Sequence, residues 1–546
     1  MVTLTTTATH YEVETPFSMA DDLRSIPGGT WSRAKRLWTF PRTQATTLAL
    51  HRAFDETLDC DRQFFDDLDE ARLAEVVAED VRHEDDLPQP PTQVGAMWRH
   101  QLRAYHFARA LPNAMLAMGM GTGKTKVAID LVQNSADCKV LIIAKRKVGK
   151  NVWPRELRKM LTSPDDWTVD VLTSDDTSVP VAKRAAALHA RLAAVATQDD
   201  ARYIAIINYE AVAAEPMATV VRSTVWDRII LDESQHISAH DSKRSKFIAT
   251  IPTKRRLALT GTPLHQTPLD VYGQFRFLDV GVFGKSWTRF KHKYAHWGGY
   301  QGYKLLRYIN GDELRDRMAS IAIVVDRSVL DLPDSHHITT YVDLNGATRR
   351  AYTAMRDDFV ATLASGETVT AMNALVKLLR LQQITSGYLV DDNGQDSTLG
   401  TDKQESLVEL LDSLAADEPV AVFVRFKHDL AAVHAAAATA GRTSLEVSGA
   451  RDELQAWQGG EATVLAVQIQ SGGEGIDLTR AAYCVYYSIG YSLGDYEQSL
   501  ARVHRPGQTR PVTYYHFVAP DTVDVAVYEA LDARRDVIQH VLDALK

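Results

Sequence analysis

Leu116-Ala117-Met118-Gly119-Met120-Gly121-Thr122-Gly123-Lys124-Thr125 is an apolar run that breaks into glycines and ends on a lysine and a threonine. Glycine lets backbone N–H groups approach phosphate oxygens, and the amphipathic stretch 126–133 reads as a helix whose N-terminus favours negative charge. On this reading Gly121, Thr122 and Gly123 line a phosphate cradle, Lys124 reaches the β- and γ-phosphates, and Thr125 holds Mg²⁺. Met118 stands where the usual pattern has its first glycine; the core from Gly121 to Thr125 is intact. Taken alone, the stretch also reads as a glycine-rich turn ahead of a helix.

Working outward, Arg228-Ile229-Ile230-Leu231-Asp232-Glu233-Ser234-Gln235 places two carboxylates at the end of a buried strand, 108 residues (232 − 124) after the lysine. In a parallel sheet that end faces the crevice where ligands bind. Asp232 is expected to hold Mg²⁺ and Glu233 to polarise an attacking water. An acidic pair at a strand end is otherwise a helix N-cap, but with Lys124 it outlines an ATPase.

Around these motifs, apolar runs at 140–144, 203–207, 228–231, 257–260, 420–424, 463–467 and 483–487 alternate with amphipathic segments. Strands separated by helices read as α/β units with parallel sheets, in two sets at about 110–262 and 420–520. The region from 276 to 415 reads mostly as helices, with one strand-like stretch at 337–344. Leu87-Pro88-Gln89-Pro90-Pro91 marks a linker, because proline cannot continue a helix. The expected organisation is a small β-containing module (1–50), an acidic helical connector and linker (51–91), a first lobe (92–275), a helical insertion leading to the second lobe (276–400), and that lobe (401–546).

The 546 residues are 45% apolar and 24% charged, an ordinary globular composition. The net charge of −9 is uneven. Residues 51–86 hold 14 acidic and 4 basic side chains, a local −10, so the rest of the chain sums to +1 and has room for basic grooves. No apolar run reaches the length of a membrane span and no secretory signal is evident, so the expected location is the cytoplasm, with no membrane partner. Cys60, Cys138 and Cys484 lie far apart and form neither a zinc pattern nor a disulfide framework.

Taken in order, the motifs resemble those of superfamily 2 nucleic-acid motor ATPases, in particular their Swi/Snf-related branch. Trp98-Arg99-His100-Gln101 resembles the adenine-reading motif, with Gln101 on the base. The segment 140–145, then Val152-Trp153-Pro154-Arg155-Glu156-Leu157, is similar to the motif after the second strand. Ile207-Asn208-Tyr209-Glu210 and Arg256-Leu257-Ala258-Leu259-Thr260-Gly261-Thr262-Pro263-Leu264 match later blocks, the latter coupling the lobes. Leu379-Arg380-Leu381-Gln382-Gln383-Ile384, the strand 420–424, Ser471-Gly472-Gly473-Glu474-Gly475-Ile476-Asp477-Leu478-Thr479 and Gln498 to Gln508 resemble motifs of the second lobe. The resemblance implies two RecA-like lobes with ATP between them, Gly475 and Asp477 near the nucleotide, and Arg502 and Arg505 reaching the γ-phosphate. It implies a DNA-dependent ATPase translocating on duplex or forked DNA through sequence-independent backbone contacts, remodelling or reannealing strands. Gln235 stands where relatives usually have His, so Gln235 or His236 is expected to couple the lobes. Asp477 replaces a frequent Asn, and Tyr491-Ser492 a Trp-Asn-Pro.

Ile26-Pro27-Gly28-Gly29-Thr30-Trp31 and Leu37-Trp38-Thr39-Phe40-Pro41 resemble the HARP module of annealing helicases. A Gly-Gly turn is expected to make a hairpin presenting Arg33, Lys35 and Arg36 beside two tryptophans, which suits phosphate contact and base stacking; the aromatics equally suit a mini-core. Lys145-Arg146-Lys147 with Lys150, and 289–294 with Trp297, Tyr300 and Tyr303, are further candidates for DNA contact, weighed against a solvated loop and helix packing. The alternatives to a translocase are a strand-separating helicase, a translocating subunit of a restriction or defence complex, and a DNA-binding scaffold with a dead motor. The acidic connector reads as a solvated helix or as an autoinhibitory mimic of DNA.

Overall fold

Runs rich in Val, Ile, Leu and Ala, too short for helices and apolar on both faces, become the central strands of two parallel sheets. The computed structural model describes residues 2–543 apart from 17–18, 55–56, 174–178, 199, 265–266, 300–303, 365–370, 391–395 and 473–475. The chain divides into two compact units, Met1–Val329 with Val537–Lys546, and Leu330–Asp536.

The first unit holds a seven-stranded, all-parallel sheet, ordered Ala322–Val325, Asn113–Met118, Thr253–Thr260, Trp226–Asp232, Lys139–Ala144, Arg202–Asn208 and Trp167–Val171. Its first strand, Ala322–Val325, falls in the stretch that reads mostly as helices, and an antiparallel hairpin of Ala295–Gly298 and Lys304–Tyr308 precedes it. The strands Asn113–Met118, Thr253–Thr260 and Trp226–Asp232 are neighbours, with Thr260 paired to Ala117 and Asp232 to Leu259. Three motif-bearing loops therefore leave adjacent strands at the same carboxyl edge, the place where parallel α/β sheets bind ligands.

The second unit repeats the plan with six parallel strands, ordered Ser335–Tyr341, Val512–Val518, Tyr483–Tyr486, Val420–Val424, Val464–Gln468 and Ser444–Val447. Val420, Val422, Val424, Val464, Ala466 and Val485 pack with Leu407, Leu411 and Val433 from flanking helices into its core. The fold is thus α/β, two RecA-like lobes plus a small N-terminal sheet.

That N-terminal sheet is ordered Thr30–Ser32, Leu37–Pro41, His10–Glu14, Val2–Thr6 and Leu58–Cys60. The expected hairpin forms, but its turn is not Gly28-Gly29. Thr30–Ser32 pairs with Leu37–Pro41 around residues 33–36, with Arg36 at φ 53°. The glycines instead precede the hairpin, where a Cβ on Gly29 would stand 2.5 Å from the Phe40 ring. Phe40 and Trp38 are buried in this module's core, whereas Trp31 is 44% exposed.

The acidic connector is one helix, Arg62–His83, capped by Asp61, which accepts from the Phe64 N–H. Phe64, Leu68, Ala71, Ala74, Ala78 and Val81 form its buried stripe, so its charge rides on the outer face of a packed helix. Asp67 takes two hydrogen bonds from Arg42 (2.6 and 2.7 Å) and one from the Tyr11 hydroxyl (2.7 Å). Burial alone would raise the Asp67 pKa; the Arg42 guanidinium overrides this and holds it low. At the far end Arg82 donates to the carbonyls of Ala319 and Ala322 and lies 4.5 Å over the Phe107 ring. A second tie is Asp279, which accepts from the Ala45 N–H (3.2 Å). The N-terminal module is therefore fastened to the first lobe at two places, the C-terminal end of this helix and Ala45.

Candidate active site

The phosphate loop needs its glycines for backbone conformation. Gly121 and Gly123 sit at φ 83° and 94°, left-handed values that cost other residues roughly 1–2 kcal/mol. Gly123 also has no room for a side chain, since a Cβ there would lie 2.2 Å from Gln101 Nε2. Lys124 opens the helix Lys124–Gln133, and its ammonium donates to the Met118 carbonyl at 2.8 Å. Its Nζ stands 3.5 Å from where a Cβ on Gly261 would be. The loop after Thr253–Thr260 thus meets the phosphate loop at the lysine.

Gln101 is buried against this loop. It closes the first turn of Arg99–Ala110 by accepting from the Trp98 N–H (3.1 Å), and its amide donates to the Thr122 carbonyl (3.0 Å). His100 Nε2 lies 2.9 Å from the same oxygen; a carbonyl only accepts, so this nitrogen carries the proton. Burial lowers the His100 pKa, keeping the ring neutral.

The carboxylate pair is held from several sides. Asp232 accepts from Trp153 Nε1 at 2.8 Å, and its backbone carbonyl accepts from the Tyr209 hydroxyl at 2.9 Å. Burial raises the Asp232 pKa and the neighbouring Glu233 adds to this, while Trp153 and Lys124 pull the other way. Glu233 adopts φ 53°, ψ 60°, a strained backbone of the kind that persists where surrounding structure imposes it. Gln235 explains part of that constraint. Its amide donates to Glu233 Oε2 (2.8 Å), its oxygen accepts from Thr260 Oγ1 (2.7 Å), and that hydroxyl accepts from the Thr262 N–H (3.0 Å). Ser234 adds a parallel tie, donating to Gln274, which donates to the Pro263 carbonyl, both at 2.7 Å.

The chemistry of the donors fits a nucleotide and a hard divalent cation: backbone N–H groups and an ammonium for phosphate, and the Thr125 hydroxyl and Asp232 carboxylate as oxygen ligands. Among the described residues no group of three or more His, Cys, Asp or Glu could hold a metal ion.

In the second unit the loop 476–481 is laced to the segment 502–508. The Leu478 N–H donates to the Arg502 carbonyl (3.0 Å), Arg505 Nη1 to the Ile476 carbonyl (3.4 Å), and the Gln508 amide to the carbonyls of Thr479 and Ala481 (3.1 and 2.8 Å). Arg505 Nε is buried with no hydrogen-bond partner among the described residues. Asp477 makes a local turn, accepting from the Thr479 N–H and hydroxyl (3.0 and 2.7 Å). Gly475 lies outside the described residues, as do Tyr300 and Tyr303. Residues 62–387 match the SNF2-related domain, 60% of the chain, and residues 402–507 the helicase conserved C-terminal domain.

The chain belongs to the SNF2-related family.

With both domains in place it carries a helicase-like ATPase core of that family. Protein p41 of Acyrthosiphon pisum secondary endosymbiont phage 1 is 25% identical over 454 residues, covering 78% of this chain and 94% of that protein. The DNA annealing helicase and endonuclease ZRANB3 of Bos taurus is 22% identical over 457 residues, covering 79% of this chain but 39% of that one. The chain spans about a third of the length of several other curated relatives. Among solved structures, the Sulfolobus solfataricus SWI2/SNF2 ATPase core in complex with dsDNA is 21% identical, with 84% of this chain and 95% of that one covered at a TM-score of 0.38.

For an SNF2-related core, some supporting residues carry no motif signal of their own. Trp153 and Thr260 sit inside recognisable blocks, yet nothing local says that they hold Asp232 and Gln235. Gln274 and Arg327 lie outside every block. Arg327 follows the strand Ala322–Val325, and a Cβ on Gly119 would stand 2.4 Å from its Cγ. Gly119 is therefore the small residue that lets Arg327 lie against the phosphate loop. Among the described residues no helix is long and apolar enough to cross a membrane.

Proposed function

We propose that this chain is an ATP-driven motor on DNA, hydrolysing ATP when bound to a duplex or fork and moving along the backbone or reannealing strands. What supports the reading above all is the relay from Glu233 through Gln235 to Thr260, which ties the catalytic carboxylate to the motif that couples hydrolysis to movement. A simple nucleotide-binding domain has no need for such a connection.

On this reading the cradle of Gly121, Thr122 and Gly123 and the Lys124 ammonium hold the β- and γ-phosphates, with Gln101 beside the base. Glu233 orients a water for in-line attack on the γ-phosphorus. The new P–O bond forms as the bond to the β–γ bridging oxygen breaks, ADP leaves, and the water's proton passes toward the Glu233 carboxylate. Arg502 and Arg505 stabilise charge on the γ-phosphoryl oxygens; arginines in this role are worth roughly 10³–10⁵ in rate. When bound through Thr125 and Asp232, Mg²⁺ supplies neutralisation of phosphate charge. Gly475 and Asp477 are read as nucleotide-binding residues of the same motif. Alternation between ATP-bound and ADP-bound states, each gripping the backbone differently, gives movement. The N-terminal sheet is read as HARP-like and the chain as cytoplasmic.

ATP turnover tests this, measured without nucleic acid and then with single-stranded, duplex and forked DNA and with RNA. Stimulation by duplex or forked DNA, abolished in Glu233→Gln, is expected. Turnover absent on every polymer overturns the motor in favour of a scaffold, and strand separation without translocation overturns the annealing reading.

A further inference from the structure

Where the N-terminal module meets the first lobe, the surface opens into a cleft of about 560 Å³. Residues 24–30 form one wall and 283–294 the other, and Arg24, Lys285, Arg289, Lys293 and Arg317 line it with no carboxylate among the lining residues. Three of these cations already have partners: Arg24 pairs with Asp21, and Lys293 and Arg317 share Glu313. Lys285 and Arg289 are exposed, and no ion pair to either occurs among the described residues. They stand four residues apart, Lys285 just ahead of the helix Trp287–Tyr294 and Arg289 on it, with Lys293 four residues further. Arg289 and Lys293, four residues apart within the helix, share one of its faces, and Lys285 stands on the same cleft wall ahead of its N-terminus.

The cleft is built, not an accident of a loose arm. A Cβ on Gly284 would lie 3.3 Å from the Gly28 backbone nitrogen, and one on Gly281 would lie 2.5 Å from Thr46 Oγ1. Asp279 and the Arg82 contacts clamp the same seam. Phe290 and Tyr294, which the sequence also offers for stacking, point into the protein and are 2% exposed; they fix the wall that carries the cations. The exposed aromatic is Trp31, one residue beyond Thr30 in the cleft wall, seated against Trp38 at 5.7 Å between ring centroids. The cations of the cleft and this firmly seated, exposed indole in the strand that continues its wall together offer what single strands need, charge for the backbone and stacking for a base.

We infer that this cleft binds one strand of nucleic acid, with Lys285 and Arg289 on its phosphodiesters and a base stacked on Trp31. The inference rests on the DNA-motor reading for its biological sense, although the binding itself does not require hydrolysis. It gives the N-terminal module a task at a fork, where it grips a separated strand while the lobes act on the duplex.

Fluorescence anisotropy of the full chain with a labelled oligothymidylate, titrated over a range of salt, tests it. Lys285→Glu with Arg289→Glu is expected to weaken binding about tenfold or more and to make the slope of log affinity against log salt shallower by about two phosphate contacts. Trp31→Ala is expected to weaken binding several-fold and leave that slope unchanged, because stacking releases no counterions. Inorganic phosphate is expected to compete poorly. Unaltered affinity in both variants overturns the site, and so does equal competition by polyglutamate, which would make it a cleft for an acidic peptide. If wild-type ATPase responds to no DNA while oligothymidylate binding behaves as described, the motor reading fails and the cleft stands.

Discussion

Gln235 joins Glu233 to Thr260: one end of its amide donates to the glutamate at 2.8 Å and the other accepts from the threonine hydroxyl at 2.7 Å. The side chain is buried, so neither bond has water as a ready substitute. Replacing it changes the orientation of Glu233, not the phosphate cradle. Gln235→Ala is therefore expected to lower DNA-stimulated kcat by roughly 10–100-fold, the equivalent of losing a hydrogen bond to a charged group, with KM for ATP unchanged. Thr260→Val keeps the shape and removes the hydroxyl, and should cost less, about fivefold. Steady-state kinetics with saturating DNA would show both; a rise in KM alone would mean that the relay serves nucleotide binding instead.

Gly119 and Arg327 form a second relationship at the site. The absent side chain of Gly119 leaves the space that Arg327 Cγ fills, and the Gly119 N–H donates to the Val325 carbonyl at 2.8 Å. Gly119→Ala forces a shift at the mouth of the loop, because the clash is with the inner part of the arginine rather than its flexible end. A several-fold rise in KM for ATP is expected, with part of it recovered in Gly119→Ala, Arg327→Ala. Nucleotide titrations of the single and double variants check this; no recovery in the double variant would place the cost in the loop itself.

The geometry of the candidate phosphate loop and carboxylate pair was legible because it is local. The glycines of 121–123, the lysine and the strand-end carboxylates each carry their conformation within a few residues, and the register of three adjacent strands then brings them to one edge. What local pattern could not show was which distant group steadies each one. Trp153 reaches Asp232 across 79 residues and Thr260 reaches Gln235 across 25. The strand Ala322–Val325 is four residues with no alternation, and its partner is the strand Asn113–Met118, so only the completed sheet identifies it. The N-terminal hairpin was expected to turn at Gly28-Gly29, the usual turn signal. Instead Arg36 takes the positive φ, while the glycines serve close packing against Phe40, Pro41 and the first lobe.

The docking of the N-terminal module depends on Gly281. A Cβ there would stand 2.5 Å from Thr46 Oγ1, 2.7 Å from Thr43 Oγ1 and 2.9 Å from the Thr46 nitrogen. Gly281→Val should therefore pry the seam apart, at a cost of about 1–3 kcal/mol for an overpacked contact. Faster tryptic release of the N-terminal residues is expected, with ATPase in the absence of DNA kept. Thr46→Ala added to the valine variant relieves one of the three contacts and should slow the cleavage again. Equal cleavage of wild type and Gly281→Val would show that the helix Arg62–His83 holds the module unaided.

In the second unit, His516 lies parallel to the Tyr486 ring at 5.1 Å and edge-on to Tyr528. Its Nε2 is 3.1 Å from His337 Nδ1 and its Nδ1 is 3.2 Å from the Tyr528 hydroxyl. Burial above all, with the neighbouring His337 and Arg535 acting the same way, pushes its pKa from 6.5 down to about 3. Arg535 itself is paired with Glu497 and Asp532. Above pH 6.5 the ring is neutral whether the chain is folded or not, so it contributes no pH dependence there. As pH falls from 6.5 toward 3, the unfolded chain takes up a proton that the folded chain refuses, and stability declines by up to about 1.4 kcal/mol per pH unit from this group. Urea midpoints of the full chain at a series of pH values through that window should fall, and His516→Phe, which keeps an aromatic ring between the two tyrosines, should make the decline shallower. An identical slope in the variant would move the acid sensitivity away from His516 to another group.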